Sequence, residues 1–196
     1  MHRKPSPQLA FDFSTSPGDA SGLLQPTRAL LRHRSCNKVL ERLIYVRRFF
    51  PELDGRVIRV GLTRAASGMA VQGGHELWIN PSHVSYHTMA HELTHLLQGE
   101  GGIPSGERSC DVFSMSRHWT LNDTPPYYVR FPHSFLDERG RIRSEASMTL
   151  YTTARRAIEL RRSGLRNYIA FFERTLGEEV EAAPRLDLLQ AAPTGG

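Results

Sequence analysis

Residues 87–98 read HTMAHELTHLLQ, a segment in which two histidines stand four positions apart with a glutamate directly after the first. In a helix, residues i and i+4 lie one turn apart on the same side, so the imidazoles of His91 and His95 can reach a single metal ion. Glu92 lies about 100° around the helix from His91 and can act as a base without becoming a ligand. The segment therefore predicts a helix that carries two ligands and the general base of a catalytic zinc site.

Three strand-like segments precede this helix. RVIRVGL, at residues 56–62, alternates in the way that a half-buried strand does. GMAVQ, at 68–72, and HELWIN, at 75–80, flank a Gly73-Gly74 pair that is typical of a hairpin turn. These segments predict a small, mostly antiparallel sheet of three strands directly upstream of the histidines.

Helical segments lie on both sides of this sheet. The histidine helix has two candidate N-caps, Asn80, which precedes a proline, and Ser85. The run from Thr120 to Arg143 is rich in proline and aromatic residues and predicts a long ordered loop. Helical periodicity predicts further helices at residues 27–50, 104–119, 144–162 and 165–176. We therefore predict an α+β fold in which the sheet packs on the N-terminal and histidine helices, followed by a helical C-terminal part.

Two histidines leave a catalytic zinc ion short of a ligand, because such sites use three protein ligands and keep the fourth position open. Glu107, in the segment GERSCD, is the best candidate for the third ligand. Asp111 lies one turn further along the same predicted helix face and can accept the outer N–H of a ligating histidine, which orients the ring. Only 11 residues separate His95 from Glu107, so the link must reverse tightly, which its four glycines allow. If the link does not reverse, Asp111 or His118 becomes the third ligand.

HELTH followed by Glu107-x-x-x-Asp111 resembles the HExxH plus ExxxD signature of the gluzincin metallopeptidases, the thermolysin-like branch of the zincins. The resemblance implies a zincin-like fold and one zinc ion per chain, held by His91, His95 and Glu107. In that family the glutamate of HExxH, here Glu92, is the general base, and the aspartate, here Asp111, orients a ligand. The link to the third ligand is shorter here than in thermolysin-like enzymes.

The reaction that the resemblance implies is hydrolysis of a peptide bond. Glu92 would take a proton from the zinc-bound water and deliver it to the leaving amine. In zincins a protein or peptide substrate usually pairs with an edge strand upstream of the helix, and the residues in that place are Ala70, Val71 and Gln72. An oxyanion donor is also needed, and the sequence does not rank the candidates. The candidates for the oxyanion donor or for other substrate contacts are His118, Tyr127, Tyr128, Tyr151 and Arg155.

The net charge of +5 raises the question of an anionic partner. Of the 25 basic residues only Lys4 and Lys38 are lysine, and the arginines are spread over the chain, so a nucleic-acid surface is not favoured. One alternative is a DNA-associated protease resembling the SprT-like proteins, whose third ligand is a histidine; the next histidine here is His118. Another is a partner-binding protein with a closed, non-catalytic zinc site, which would have no use for Glu92 as a base.

A length of 196 residues fits one domain with its own core. We predict a disordered tail at 1–26, a single zincin-like metallopeptidase domain at 27–182 and a flexible tail at 183–196. No apolar stretch approaches the ~20 residues that span a bilayer, and the N-terminus lacks the apolar core of a secretion signal, which indicates a cytoplasmic protein without a membrane partner. Cys36 and Cys110 match no zinc-cluster spacing and are predicted to be free thiols. The sequence leaves the oligomeric state open.

Overall fold

The computed structural model describes residues 23–99 and 102–182 of the chain. Most of the two predicted tails, at 1–22 and 183–196, lies outside the described residues. In chain order the strands are β1 (Leu24–Pro26), β2 (Ile58–Leu62), β3 (Gly68–Ala70) and β4 (Glu76–Ile79). The helices are α1 (Arg28–Leu31), α2 (Cys36–Arg47), α3 (Tyr86–Leu97), α4 (Glu107–Met115), α5 (Ser144–Arg162) and α6 (Tyr168–Ala182). The predicted α+β class is confirmed.

The four described strands form one mixed sheet in the order β1-β2-β4-β3. β1 and β4 both run parallel to β2, and only the β3–β4 hairpin is antiparallel. The prediction of three mostly antiparallel strands was therefore wrong in strand number and in direction. β1 lies within the segment predicted as a disordered tail, because three residues are too few to show the alternation that marks a strand. The order leaves β3 at one edge of the sheet.

Two hydrophobic clusters make up the core. The first joins the inner face of the sheet to α2 and α3, with Val60, Leu77 and Leu93 fully buried. The second joins α4, α5 and α6, with Leu150 and Phe172 fully buried. Because α3 packs against both β3 and α4, this helix lies where the two clusters meet.

α3 begins at the second of the two predicted N-caps, Ser85. The Ser85 hydroxyl accepts a hydrogen bond from a backbone N–H of the first turn at 3.0 Å. The carboxylate of Asp123, from the long loop, accepts from the backbone N–H groups of Tyr86 and His87, both at 3.0 Å. These bonds satisfy the free donors at the helix start, which fixes where the histidine helix enters the core.

Other elements differ from prediction mainly at their ends. The helix predicted at 27–50 is two helices, because the chain turns where the His33 ring accepts a hydrogen bond from the backbone N–H of Ser35. α5 has the predicted bounds, and the loop before it contains short 3₁₀ turns and an isolated antiparallel bridge between Leu136 and Ile142. Cys36 and Cys110 are free thiols, as predicted. Within the described residues, no helix combines the length and the apolar character needed to cross a membrane.

Candidate metal centre

α3 brings the two histidines of the motif together. Their Nε2 atoms lie 3.2 Å apart, and the ring centroids are separated by 4.9 Å. His91 is buried and His95 is partly exposed at the floor of a cleft. The helical spacing therefore places two imidazole nitrogens at one point, as the sequence predicted.

Glu107, the first residue of α4, reaches the same point. Its Oε2 atom lies 2.9 Å from His91 Nε2 and 3.1 Å from His95 Nε2. The ligands of a tetrahedral zinc ion lie roughly 3.3 Å from one another, so these three atoms need to separate only slightly to admit the ion. Two imidazoles and one carboxylate form a donor set that suits zinc and leaves a fourth position open.

The link between α3 and α4 reverses as tightly as the sequence required. Gly99, Gly102 and Gly106 have φ angles of +86°, +97° and +102°, a region that glycine enters without the strain of a Cβ atom. Gln98, at the end of α3, donates from Nε2 to the carbonyls of Pro104 and Gly106, at 2.7 and 3.1 Å. The side chain of Gln98 therefore braces the turn that delivers Glu107.

Each of the two histidines has a partner for its outer nitrogen. His91 Nδ1 lies 2.8 Å from Asp111 Oδ1, the partner predicted from the sequence. His95 Nδ1 lies 2.9 Å from Gln98 Oε1, so the Gln98 side chain contacts both His95 and the link between α3 and α4. Sequence reasoning missed Gln98, although it lies three residues after His95 and therefore on the same helix face. Such contacts set the ring orientation and the tautomer of a metal ligand.

Asp111 also organises the loop that carries two tyrosines. Its Oδ2 atom accepts from the backbone N–H groups of Tyr128 and Val129, at 2.6 and 3.2 Å. Burial alone would raise the pKa of Asp111, but its contacts with His87 and His91 hold that pKa well below the usual range. The side chain is therefore an anion inside the protein that joins α3, α4 and this loop.

Glu92 lies buried beside the three converging atoms. Its Oε2 atom has no hydrogen-bond partner among the described residues. Burial raises the pKa of Glu92 to about 7; the charge of His91 opposes this shift and that of Glu107 adds to it. A carboxyl group with that pKa can accept and release a proton near neutral pH, which is what a general base and acid must do.

Gly68, in β3, makes room for Glu92. A Cβ atom at Gly68 would lie 2.5 Å from Glu92 Oε1 and 2.6 Å from Glu92 Cγ, closer than such contacts occur. Sequence reasoning missed this residue, because its role depends on a contact between strand and helix that no local pattern reveals. Glycine at position 68 therefore allows β3 to pack directly against the Glu92 carboxyl group.

Among the described residues, β3 presents a free backbone edge next to Glu92. Ser67 O and Val71 N are both hydrogen-bonded to the neighbouring segment that contains β4, at 3.0 and 3.1 Å. Such pairs alternate along an antiparallel ladder, so the N–H and C=O groups of Gly68 and Ala70 face away from the sheet. The free edge is therefore shifted from the predicted Ala70, Val71 and Gln72, since Gln72 lies in the turn.

A cleft of about 510 Å³ runs between β3 and the tyrosine loop. The Tyr128 ring stacks on His91 with centroids 5.7 Å apart, and the Tyr127 hydroxyl lies 3.1 Å from the Thr88 hydroxyl. Two of the five candidate contact residues, Tyr127 and Tyr128, thus lie at this cleft. The described lining consists of Ala66, Ser67, Gly68, Met69, Ala70, His91, Glu92, His95, Glu107, Tyr127 and Tyr128.

The other three candidate contact residues lie elsewhere. Tyr151 and Arg155 line a separate cavity that shares no residue with the cleft. His118 Nδ1 lies 2.9 Å from the Thr120 hydroxyl, and its ring stacks on Phe49 at 4.5 Å. Tyr151 and Arg155 share that cavity with Phe49, Pro51 and Glu52, which follow α2, and this proximity of distant segments leaves no signal in the sequence.

Two further groups of side chains among the described residues have the spacing that could hold a metal ion: His91, His95 and Cys110, and His87, His91 and Asp111. Cys110 Sγ lies 3.3 Å from His95 Nδ1, the outer nitrogen, and burial strongly raises the pKa of its thiol, which opposes the thiolate form that binds metals. Both Asp111 oxygens already accept hydrogen bonds. Of the three groupings, the two Nε2 atoms with Glu107 suit a zinc ion best.

The chain matches no family model, no curated protein and no solved structure. The resemblance to gluzincins and the alternative of a DNA-associated protease therefore both stay predictions. The described residues that line the cleft include neither lysine nor arginine.

Proposed function

We propose that this protein is a zinc-dependent metallopeptidase. The observation that carries the proposal is the convergence of His91 Nε2, His95 Nε2 and Glu107 Oε2 within 3.2 Å of one another, next to the buried carboxyl group of Glu92. The three residues would hold one zinc ion per chain. A structural zinc site has four protein ligands, whereas this set has three and a base beside them.

The chain's own residues divide the reaction between them. A bound zinc ion lowers the pKa of a coordinated water and polarises a carbonyl group. Glu92 accepts a proton from the attacking water at its free carboxylate oxygen and then donates it to the leaving amine. Asp111 and Gln98 hold the two imidazoles in orientation through their outer nitrogens. The free N–H and C=O groups of β3 bind the peptide as an added strand across the ligands.

A first experiment measures metal content and peptide hydrolysis together. Wild type and Glu92→Gln are purified, their zinc is quantified by mass spectrometry, and both are incubated with a diverse peptide library. We expect one zinc per chain in both proteins and cleavage by the wild type only, because the amide cannot take the proton. Glu41→Gln, an exposed helix position, is the matched control and is expected to cleave normally.

Other outcomes favour other functions. One zinc per chain in both proteins without cleavage in either would favour the partner-binding alternative. The absence of zinc from the wild type would contradict the proposal, because the proposed reaction requires a bound zinc ion. Hydrolysis only in the presence of DNA would favour the SprT-like alternative, although the described residues that line the cleft include neither lysine nor arginine.

A further inference from the structure

We infer that the cleft takes an internal segment of extended polypeptide with uncharged side chains, and neither a free amino terminus nor a free carboxyl terminus. The inference rests on the proposed function and narrows its substrate class from peptides in general to internal, neutral segments. Three features of the cleft carry it: the roles of its charged groups, the free edge of β3 and the neutral side chains of its walls.

The two carboxylates among the described cleft residues, Glu92 and Glu107, already have proposed roles. Glu107 is placed with the two histidines, and Glu92 is the base, so neither carboxylate is free to bind an α-ammonium group. No lysine or arginine is among the described lining residues, so an α-carboxylate would also lack a partner. A charge taken from water without an opposite charge is strongly disfavoured, and the cleft therefore selects against both ends of a chain.

The cleft extends on both sides of the residue nearest the base. That residue is Gly68, and the described lining follows the chain from Ala66 to Ala70. β3 begins at Gly68 and offers outward N–H and C=O pairs there and at Ala70. A peptide that pairs with both residues and follows the lining past Ala66 lies on both sides of Glu92, so the bond beside the base lies within the bound segment. Pairing through main-chain groups also places no demand on the identity of the side chains at those positions.

The walls of the cleft are neutral. The side chains of Tyr127 and Tyr128 are 48% and 51% exposed, and Ser67 and Met69 belong to the opposite wall. Tyr128 is held in place by its stacking on His91 and by the bond from its backbone N–H to Asp111. Fixed aromatic faces bind apolar side chains well, whereas a charged side chain there would lose water without gaining an ion pair.

The test uses zinc-loaded protein and pools of ten-residue peptides randomised over alanine, serine, valine, phenylalanine and tyrosine. The pool is made with free ends, with an acetylated amino end, with an amidated carboxyl end and with both ends blocked. We expect equal hydrolysis of all four forms. Replacing serine by aspartate or arginine in the doubly blocked pool is expected to slow hydrolysis on the order of tenfold. Binding of the same pools to zinc-loaded Glu92→Gln, followed by calorimetry, gives a readout that is independent of turnover.

The outcomes separate this inference from the proposed function. Hydrolysis that requires a free end, or that is faster for the charged pools, would overturn the inference and leave the proposed function standing. Hydrolysis of none of the pools, with no binding to Glu92→Gln, would overturn both.

A pair of tyrosine variants tests the walls. Tyr128→Ala is expected to raise KM for the neutral pool and to reduce the preference for neutral over charged peptides. Tyr151→Ala, in the separate cavity, is the matched control and is expected to hydrolyse the pools as the wild type does. An unchanged preference in Tyr128→Ala would contradict the assignment of this wall.

Discussion

At the scale of single residues, the buried carboxyl group of Glu92 depends on a neighbour without a side chain. Glu92 is packed against β3, where its Oε1 atom lies 2.5 Å from the position that a Cβ atom at Gly68 would occupy. The same burial raises its pKa to about 7. A substitution that moved this carboxyl group by about 1 Å would change both its environment and its distance from the proposed zinc ligands.

We predict that Gly68→Ala loses hydrolysis but keeps zinc. The added methyl group would clash with the Glu92 carboxylate and displace it, and a misplacement of about 1 Å can lower the rate on the order of 100-fold. The three atoms nearest to that Cβ position all belong to Glu92, so the zinc content is expected to stay at one per chain. The measurements are kcat/KM on a peptide cleaved by the wild type, and zinc by mass spectrometry.

Gly177→Ala is the control for this substitution, since among the described residues no atom beyond its chain neighbours and the nearby backbone of its own helix lies within 4 Å of a Cβ atom built at Gly177. It is expected to retain activity. If Gly68→Ala has the same kcat/KM as the wild type, the close approach of β3 to Glu92 has no role in hydrolysis. A thermal unfolding curve for each variant separates a lost site from a lost fold.

At the scale of elements, the third ligand depends on the link between α3 and α4. Gln98 is 2% exposed and makes three contacts, one to His95 Nδ1 and two to carbonyls of the link. Because Glu107 follows directly after this link, its position relative to the histidines is set by how the link closes.

We predict that Gln98→Ala weakens zinc binding and destabilises the protein. The substitution removes two hydrogen bonds to the carbonyls of Pro104 and Gly106, and each such bond contributes about 0.5–1.5 kcal/mol because Pro104 is half-buried and Gly106 is exposed. It also removes the amide partner of His95 Nδ1, and loss of such a partner typically weakens metal affinity 10- to 100-fold, an order-of-magnitude figure. Urea unfolding and competition with a chelator measure the two effects.

The exposed Gln25 in β1 provides the control, because Gln25→Ala removes the same side chain from a position outside the site. It is expected to change neither quantity by more than about 0.5 kcal/mol. An unchanged zinc affinity in Gln98→Ala would mean that the link closes without this brace.

The elements also show what the sequence can and cannot predict. The histidine helix follows from local periodicity, and its spacing alone brings His91 and His95 together. Glu107 was predicted from the chemistry of an incomplete site, not from any pattern that shows how close α4 comes to α3. The parallel partners of β2 and the contact of Gly68 with Glu92 depend on pairings between distant segments, which leave no periodic signal in a single sequence.

At the scale of the whole molecule, the candidate site lies between the two hydrophobic clusters. His91 and His95 come from α3, which packs on the sheet, whereas Glu107 opens α4, which packs on α5 and α6. An ion bound by all three residues would link the two clusters. Its binding energy would then stabilise the whole fold against unfolding.

We predict that zinc raises the thermal midpoint of the metal-free protein. At a free concentration 1,000 times the dissociation constant, linkage contributes ~4 kcal/mol, which for a chain of this size corresponds to a shift on the order of 10 °C. Differential scanning calorimetry of chelator-treated protein with and without zinc measures this shift. His95→Ala is expected to abolish it.

His83→Ala replaces an exposed histidine that precedes α3 and is expected to leave the zinc-dependent shift intact. An equal loss of the shift in both variants would mean that zinc acts through surface histidines. No shift in the wild type would mean that the two clusters are not joined by this ion.

The hairpin that carries β3 is also tied to the histidine helix at its turn. Gly73 N donates to His95 O at 3.0 Å, and Gly73 has a φ of +64°. The strand that would receive a substrate is therefore ordered before any peptide arrives, because folding has already restricted its backbone. Association with a peptide then costs conformational entropy mainly on the side of the peptide, and a cyclic or otherwise rigid extended peptide becomes the natural starting point for an inhibitor.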